Sequence, residues 1–313
     1  MALVIDLRKV LRERWGCRIG LVHPVEEGEG RRCYRVESDR GPLFVKAYED
    51  RETVLDDVLQ GLEVQVYADG RGIPTNPPLP TAAGGLCARL QGYGVVVAPW
   101  IERREVERNP SQWRAFGRIV GRLHALDVPD RLQHRPARME PRRALEGVRD
   151  RVRQHGVRAP EEYQLQLDAF WKIAEPLDDF ASAPRCLIHT DLAWGNLLWT
   201  ADGHPLLTDF EGAGAGPAVV DLAEVTTYLC RGPSASGPLQ TDAARAFYEG
   251  YAEHRRLTSD EIGLFPQAHV YHQLSYLANA LSRGDYDFIR RMQARLYNWN
   301  GGVLDRLVRI ATA

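Results

Sequence analysis

Hydrophobic and polar positions divide the chain into a β-rich beginning and a helical remainder. From Ile19 to Tyr48, short apolar runs alternate with glycine-containing turns, and this pattern predicts an antiparallel meander. Residues 52–68 place apolar side chains at intervals of four, which predicts an amphipathic helix. Two more strands are predicted at 86–90 and 94–97.

Helical patterns dominate after Pro99, which cannot donate a hydrogen bond to a sheet and marks the end of the strands. Asn109 and Pro110 form a helix start signal, and Thr258 and Glu261 have the spacing of a capping box. Further helices are predicted at 161–180, 219–229, 241–256, 259–282 and 285–311. The arginine-rich stretch 129–160 is predicted to be loop with a short helix.

Composition excludes several classes of partner. The formal net charge of the 313 residues is only -2, so no overall field favours nucleic acid or an anionic membrane. No apolar run reaches membrane-spanning length, and the five cysteines lack the spacing of a disulfide framework or a zinc site. We therefore expect a cytoplasmic protein with free thiols and with neither a nucleic-acid nor a membrane partner.

The chemically distinctive segment is residues 185–217, a non-helical island between helices. It contains the pattern His189-x-Asp191-x-x-x-x-Asn196, followed by Asp209-Phe-Glu. Two short strands flank an Asp-Gly turn, so a hairpin is expected to bring Asn196 near Asp209, with Asp191 in the loop before it. Amide and carboxylate oxygens suit Mg²⁺, and a third carboxylate can hold an attacking hydroxyl.

This pattern resembles the aminoglycoside phosphotransferase and choline kinase superfamily of small-molecule kinases. Tyr34-Arg-Val and Phe44-Val-Lys46 are similar to the family's nucleotide-covering hairpin and its strand lysine. The resemblance implies an α+β, two-lobed, protein-kinase-like fold with a small antiparallel sheet, one helix and a larger helical lobe. We assign 1–97 to the nucleotide-binding lobe, 98–103 to the hinge and 104–313 to the helical lobe with the catalytic loop and acceptor pocket.

The resemblance also implies roles for the polar residues of these segments. Asp191 would orient or deprotonate the acceptor hydroxyl, and Asn196 with Asp209 would hold Mg²⁺. Lys46 would bind the phosphates of ATP, with GTP as an alternative, and needs an acidic partner. Glu63 is our choice for that partner, while Glu52, Asp56 and Asp57 remain alternatives. His189 and Asp221 are expected to brace the catalytic loop.

Two further groups of residues are expected to contact the ligands. Gly28 and Gly30 can let backbone amides approach phosphate, and the backbone of Ala98, Trp100 and Ile101 is expected to meet the purine. The acceptor pocket is expected among the late helices, with these polar or aromatic candidates: Tyr271, His272, Asp285, Asp287 and Trp299.

The acceptor is expected to be a small molecule with a hydroxyl group. Antibiotic modification, of an aminoglycoside or nucleoside type, is the leading expectation, and choline, thiamine, homoserine or sugar kinases are the metabolic alternatives. A nucleotide-binding pseudokinase is the alternative from another class. A protein kinase is disfavoured because no Ala-Pro-Glu segment follows Asp209. A monomer and a homodimer are both compatible with the sequence.

Overall fold

The computed structural model describes residues 7–25, 32–49, 52–177, 180, 183–230, 238–298 and 302–312. Within these ranges the chain forms two compact units. The first unit comprises Met1–Glu105 with Leu198–Ala213, and the second comprises Val106–Leu197 with Gly214–Ala313. The segment Leu198–Ala213, which the sequence assignment placed in the helical lobe, thus belongs to the first unit.

The first unit is built on a five-stranded antiparallel sheet with strand order β1-β2-β3-β5-β4. Its strands are β1 (Ile19–Val25), β2 (Arg32–Ser38), β3 (Leu43–Glu49), β4 (Ala88–Leu90) and β5 (Tyr93–Pro99), and its helices are α1 (Leu7–Trp15) and α2 (Glu52–Asp69). Strands β7 (Leu197–Trp199) and β8 (Pro205–Leu207) form the predicted hairpin. The meander and helix α2 are confirmed.

The two faces of this sheet have different partners. Helix α1 packs with Val45 and Val97 in one apolar cluster, whereas Tyr48 packs with Val58 and Leu62 of α2 in another. Side chains along a strand alternate between faces, so Lys46 shares the face of Tyr48. Helix α1 was not predicted, because charged residues interrupt its apolar positions, yet Leu7, Val10, Leu11 and Trp15 are buried.

The second unit is mainly helical. Its helices are α3 (Pro110–His124), α4 (Asp130–Gln133), α5 (Pro141–Gly156), α6 (Gln164–Ala174), α7 (Ala218–Leu229), α8 (Thr241–Ala252), α9 (Ser259–Gly263), α10 (Phe265–Arg283), α11 (Asp287–Asn298) and α12 (Leu304–Thr312). A short antiparallel pair, β6 (Arg185–Ile188) and β9 (Gly214–Pro217), lies among them. The predicted α+β class is confirmed.

Helices α3 and α8 pack closely because glycine replaces a side chain at their contact. A Cβ atom at Gly117 would lie only 1.9 Å from the carbonyl oxygen of Phe247. Asn109 caps α3, and Thr258 and Glu261 form the predicted capping box of α9. Two predictions were wrong: 129–160 contains the long helix α5, and 259–282 is broken at Leu264 before Pro266.

No helix among the described residues has the length and apolar character needed to cross a membrane. No disulfide joins the five cysteines, all of which lie among the described residues.

Candidate active site

In the first unit, Lys46 is held between two carboxylates. Its Nζ donates to Asp209 Oδ1 at 2.9 Å and to Glu211 Oε1 at 2.7 Å. The Lys46 and Glu211 side chains are only 14% and 5% exposed, so water screens this contact little. Burial by itself would lower the pKa of Lys46, but Asp209 and Glu211 outweigh it and the pKa is raised. The ammonium therefore stays charged and fixed in direction.

Glu211 was not among the residues predicted for the site. Its carboxylate also accepts a hydrogen bond from the Tyr48 hydroxyl, two residues beyond Lys46 on the same face of β3. The signal that could have identified it is its place in the Asp209-Phe-Glu triplet, two residues after Asp209. Glu63, the predicted partner of Lys46, lies in α2, and its role at the site stays a prediction.

Helix α2 positions the segment that carries Asp209 and Glu211. Gly61 of α2 lies against the backbone of Phe210, where a Cβ atom would be 1.8 Å from the carbonyl oxygen. Gln60 donates from Nε2 to the carbonyl of Ala213 at 3.1 Å. Asp209 itself has a φ of +67°, a left-handed conformation that costs a non-glycine residue about 1 kcal/mol or more. These contacts hold the strained residue in place.

In the second unit, the loop around Asp191 is fixed by its backbone amides. The amides of His189 and Thr190 donate to the two oxygens of Asp221, each at 2.7 Å, and the Asp191 amide donates to His189 Nδ1 at 3.3 Å. Asn196 Nδ2 donates to the Asp191 carbonyl at 2.9 Å. Because these partners are mostly buried, the loop has little freedom to move.

Thr190 shows that this loop is held under strain. Its φ is +69°, a value rare for a β-branched residue. Strained backbone at a functional site persists only when its surroundings determine it, and here both oxygens of Asp221 do so. The backbone conformation of Thr190, directly before Asp191, is therefore imposed by its contacts with Asp221.

Asp221 is itself part of a buried polar chain. Its Oδ2 is 3.0 Å from His124 Nε2, and His124 Nδ1 is 3.1 Å from the Tyr251 hydroxyl. Arg255 donates to that hydroxyl at 2.9 Å and also to Glu261. Burial raises the pKa of Tyr251 well above its usual value, so its hydroxyl stays protonated. The chain links α3, α7, α8 and α9 to the backbone of the loop around Asp191.

The residues predicted to contact the nucleotide are placed as follows. Gly28 and Gly30 lie outside the described residues. Ala98 is in β5 opposite Phe44, and Trp100 follows the strand, with its backbone amide donating to the Pro42 carbonyl at 3.0 Å. Ile101 comes next and is half-buried. Contact of these residues with a purine stays a prediction.

The predicted acceptor residues are dispersed in the second unit. Tyr271 is buried, and its hydroxyl donates to the Met139 carbonyl at 3.0 Å, which is a core contact. His272 is half-buried and packs edge-on against Tyr276. Asp285 pairs with Arg291, Asp287 accepts from the Tyr163 hydroxyl, and Trp299 lies outside the described residues. Their role in binding an acceptor stays a prediction.

Asn196 and Asp209, each taken by itself, have the side-chain chemistry that magnesium prefers. The described residues contain no cluster of three or more histidine, cysteine, aspartate or glutamate side chains suited to a metal. Mg²⁺ takes one or two protein ligands and completes its shell with water and phosphate oxygens. The Asp209 carboxylate and the Asn196 amide oxygen suit that chemistry, because Nδ2 of Asn196 already bonds to protein. Their joint binding of one ion stays a prediction.

Comparison with known proteins agrees on the family. A family model described as the phosphotransferase enzyme family (APH) matches residues 22–257. A homoserine kinase of Pseudomonas aeruginosa is 29% identical over 197 residues, covering 62% of this chain and 60% of that protein. A homoserine kinase of Methylobacterium nodulans is 26% identical over 249 residues, covering 77% of this chain and 74% of its own. The chain thus spans 60% of the length of the first curated relative.

Solved structures resemble the chain over almost its full length. Spectinomycin phosphotransferase, APH(9)-Ia, in complex with ADP and spectinomycin, has a TM-score of 0.68 at 16% identity and covers 99% of this chain and 98% of its own. A microcompartment-associated aminopropanol kinase has a TM-score of 0.65 at 15% identity, with 94% of each chain covered. These likenesses show a kinase-like fold.

Proposed function

Because the chain belongs to the phosphotransferase enzyme family, we propose that it is a small-molecule kinase that transfers the γ-phosphate of ATP to a hydroxyl group. One observation carries the proposal: Lys46 is a largely buried ammonium fixed by Asp209 and Glu211. A charged group held this way is preorganised to bind phosphate oxygens.

In the proposed reaction, each described residue has a limited task. Lys46 binds nucleotide phosphates, and Asp191 accepts the hydrogen bond of the acceptor hydroxyl. As the new O–P bond forms, Asp191 takes the hydroxyl proton, the bond between the γ-phosphorus and the bridging oxygen breaks, and ADP leaves. Asp221 and His189 hold the loop so that Asp191 keeps one direction. Bound Mg²⁺ would be held by Asn196 and Asp209 and would neutralise phosphate charge.

Homoserine is the first acceptor we propose, because the curated relatives at 26–29% identity carry that name. Such an amino acid carries an ammonium and a carboxylate on its α-carbon, and the hydroxyl at the other end of the molecule is the nucleophile. An antibiotic acceptor is the second candidate, from the sequence expectation. The likeness to the spectinomycin enzyme, at 16% identity, supports the shared fold and leaves the acceptor to experiment.

A substrate panel tests the proposal directly. Purified protein with Mg²⁺ and ATP or GTP is incubated with homoserine, other hydroxyl amino acids, amino alcohols and aminocyclitol antibiotics, and mass spectrometry detects phosphorylated product. We expect one class to react and Asp191→Asn to abolish transfer while nucleotide binding, followed by thermal shift, persists. Binding of nucleotide without transfer to any acceptor would instead identify a pseudokinase.

A further inference from the structure

Helix α7 carries a second buried carboxylate that the proposed mechanism does not use. Asp221 and Glu224 are three residues apart, so they lie on one face of the helix. Both are buried, and Glu224 is only 5% exposed. Its Oε2 accepts a hydrogen bond from the Leu192 amide at 2.8 Å. Glu224 therefore holds the catalytic loop from the same helix as Asp221 does.

The two carboxylates of α7 bracket Asp191. Asp221 fixes the amide of Thr190, the residue before Asp191, and Glu224 fixes the amide of Leu192, the residue after it. The peptide plane before Asp191 carries the Asp191 amide, which donates to His189 Nδ1 at 3.3 Å, and the plane after it carries the Leu192 amide, which Glu224 holds. With both planes held, the backbone dihedrals of Asp191 and the direction of its Cα–Cβ bond are determined. If only one of these two peptide planes were held, the other could still rotate and change the direction of the Asp191 side chain.

We propose that Glu224 is a positioning residue for the catalytic loop, which holds the Leu192 amide and thereby aims the Asp191 carboxylate. The kinetic consequence rests on the proposed kinase function, whereas the anchoring of the loop can be measured without an acceptor. Asp221 and Glu224 have different roles, because Asp221 binds the amide of Thr190, before Asp191, whereas Glu224 binds the amide of Leu192, after it.

The surroundings of Glu224 indicate which feature of the side chain matters. Burial, with the nearby charges of Asp191 and Asp221, raises the pKa of Glu224 well above its usual value and favours the protonated acid. A protonated carboxyl still accepts the Leu192 amide through its carbonyl oxygen. The Tyr276 hydroxyl lies 3.5 Å from the other oxygen, Oε1. The hydrogen-bond acceptor, rather than the negative charge, is thus the working feature.

Two substitutions of similar volume separate acceptor from packing. Glu224→Gln keeps an oxygen for the Leu192 amide, whereas Glu224→Met fills the space without an acceptor. We expect the Gln variant to retain most activity and the Met variant to lose about 10- to 100-fold in kcat with an unchanged KM for ATP. Glu249→Gln, an exposed carboxylate of α8 that pairs with Arg114, is the matched control and should leave kcat unchanged.

Amide hydrogen exchange gives a readout that needs no acceptor. Peptides covering residues 189–197 should exchange faster in the Met variant and at the wild-type rate in the Gln variant. Equal kcat and equal exchange in the Met and Gln variants would overturn the positioning role. An equal loss in both would show that the charge acts instead, which also overturns it. If the wild type phosphorylates no acceptor, the proposed function fails, and the exchange comparison alone decides the role of Glu224.

Discussion

Replacing Gly61 by alanine should damage nucleotide binding through the segment that holds Lys46. The new Cβ would lie 1.8 Å from the Phe210 carbonyl oxygen, whereas real Cβ contacts essentially never fall below 3.0 Å, so the segment must retreat by about 1.2 Å. Hydrogen bonds of 2.9 and 2.7 Å from Lys46 to Asp209 and Glu211 do not survive a shift of that size.

Two opposing terms set the effect of Gly61→Ala on stability. Overpacking costs about 1–3 kcal/mol, while alanine in a helix gains about 1 kcal/mol over glycine. The lost Lys46 hydrogen bonds cost about 1.5–3 kcal/mol in addition, so the free energy of unfolding should fall by about 2–5 kcal/mol. Loss of charge-assisted bonds of about 1.5–3 kcal/mol should weaken nucleotide affinity by about 10- to 100-fold.

Isothermal titration with ADP and Mg²⁺ measures this affinity, and thermal unfolding measures the stability. Gly147→Ala in α5 is the matched control, because the nearest atom to its new Cβ is Arg151 Nη1 at 3.8 Å. It should stabilise the protein by about 0.5–1 kcal/mol and leave ADP affinity unchanged. The reasoning is refuted if Gly61→Ala binds ADP as the wild type does and is stabilised like the control.

Two further predictions concern the second unit. Thr190→Gly removes the cost of a positive φ and should raise the free energy of unfolding by about 1 kcal/mol, seen as a higher Tm; a lower Tm would contradict the assigned strain. Glu224 should make the protein less stable as pH rises. Above the ordinary glutamate pKa, the unfolded chain releases the proton of this side chain while the folded chain keeps it. Rising pH therefore favours unfolding until the raised pKa of the folded state is passed. Between about pH 5 and about pH 8, the Tm of Glu224→Gln should therefore gain on that of the wild type, and parallel pH curves would contradict the raised pKa.

The parts of the fold that sequence predicted well are those in which local signals and burial agree. The alternation around Lys46 and the spacing of four in α2 both reflect faces that pack in the core, so pattern and structure coincide. The capping box of Thr258 and Glu261 is likewise local. Helix α1 was not predicted, because charged residues interrupt the apolar positions that pack against the sheet.

At the candidate site, too, sequence predicted features that depend on neighbouring residues but not contacts between residues far apart in the chain. The motif around Asp191 is contiguous, so the sequence identified it, whereas the partner of Lys46 lies more than 160 residues away along the chain. Which acid meets that lysine depends on how α2 packs through Gly61, and spacing along α2 does not contain that information. Glu224 was missed for the same reason, because its contact with Leu192 needs the tertiary fold.

The buried chain from Glu261 to Asp221 has a consequence for how the enzyme loses function on heating. Glu261, Tyr251, His124 and Asp221 belong to four different helices, and Arg255 lies between α8 and α9. Breaking any of these hydrogen bonds would leave a polar group buried without its partner. We therefore expect the amide protons of His189 and Thr190 to exchange with solvent only when the helices separate, and not through local opening of the loop. Thermal inactivation should accordingly coincide with cooperative melting of the helical unit rather than precede it.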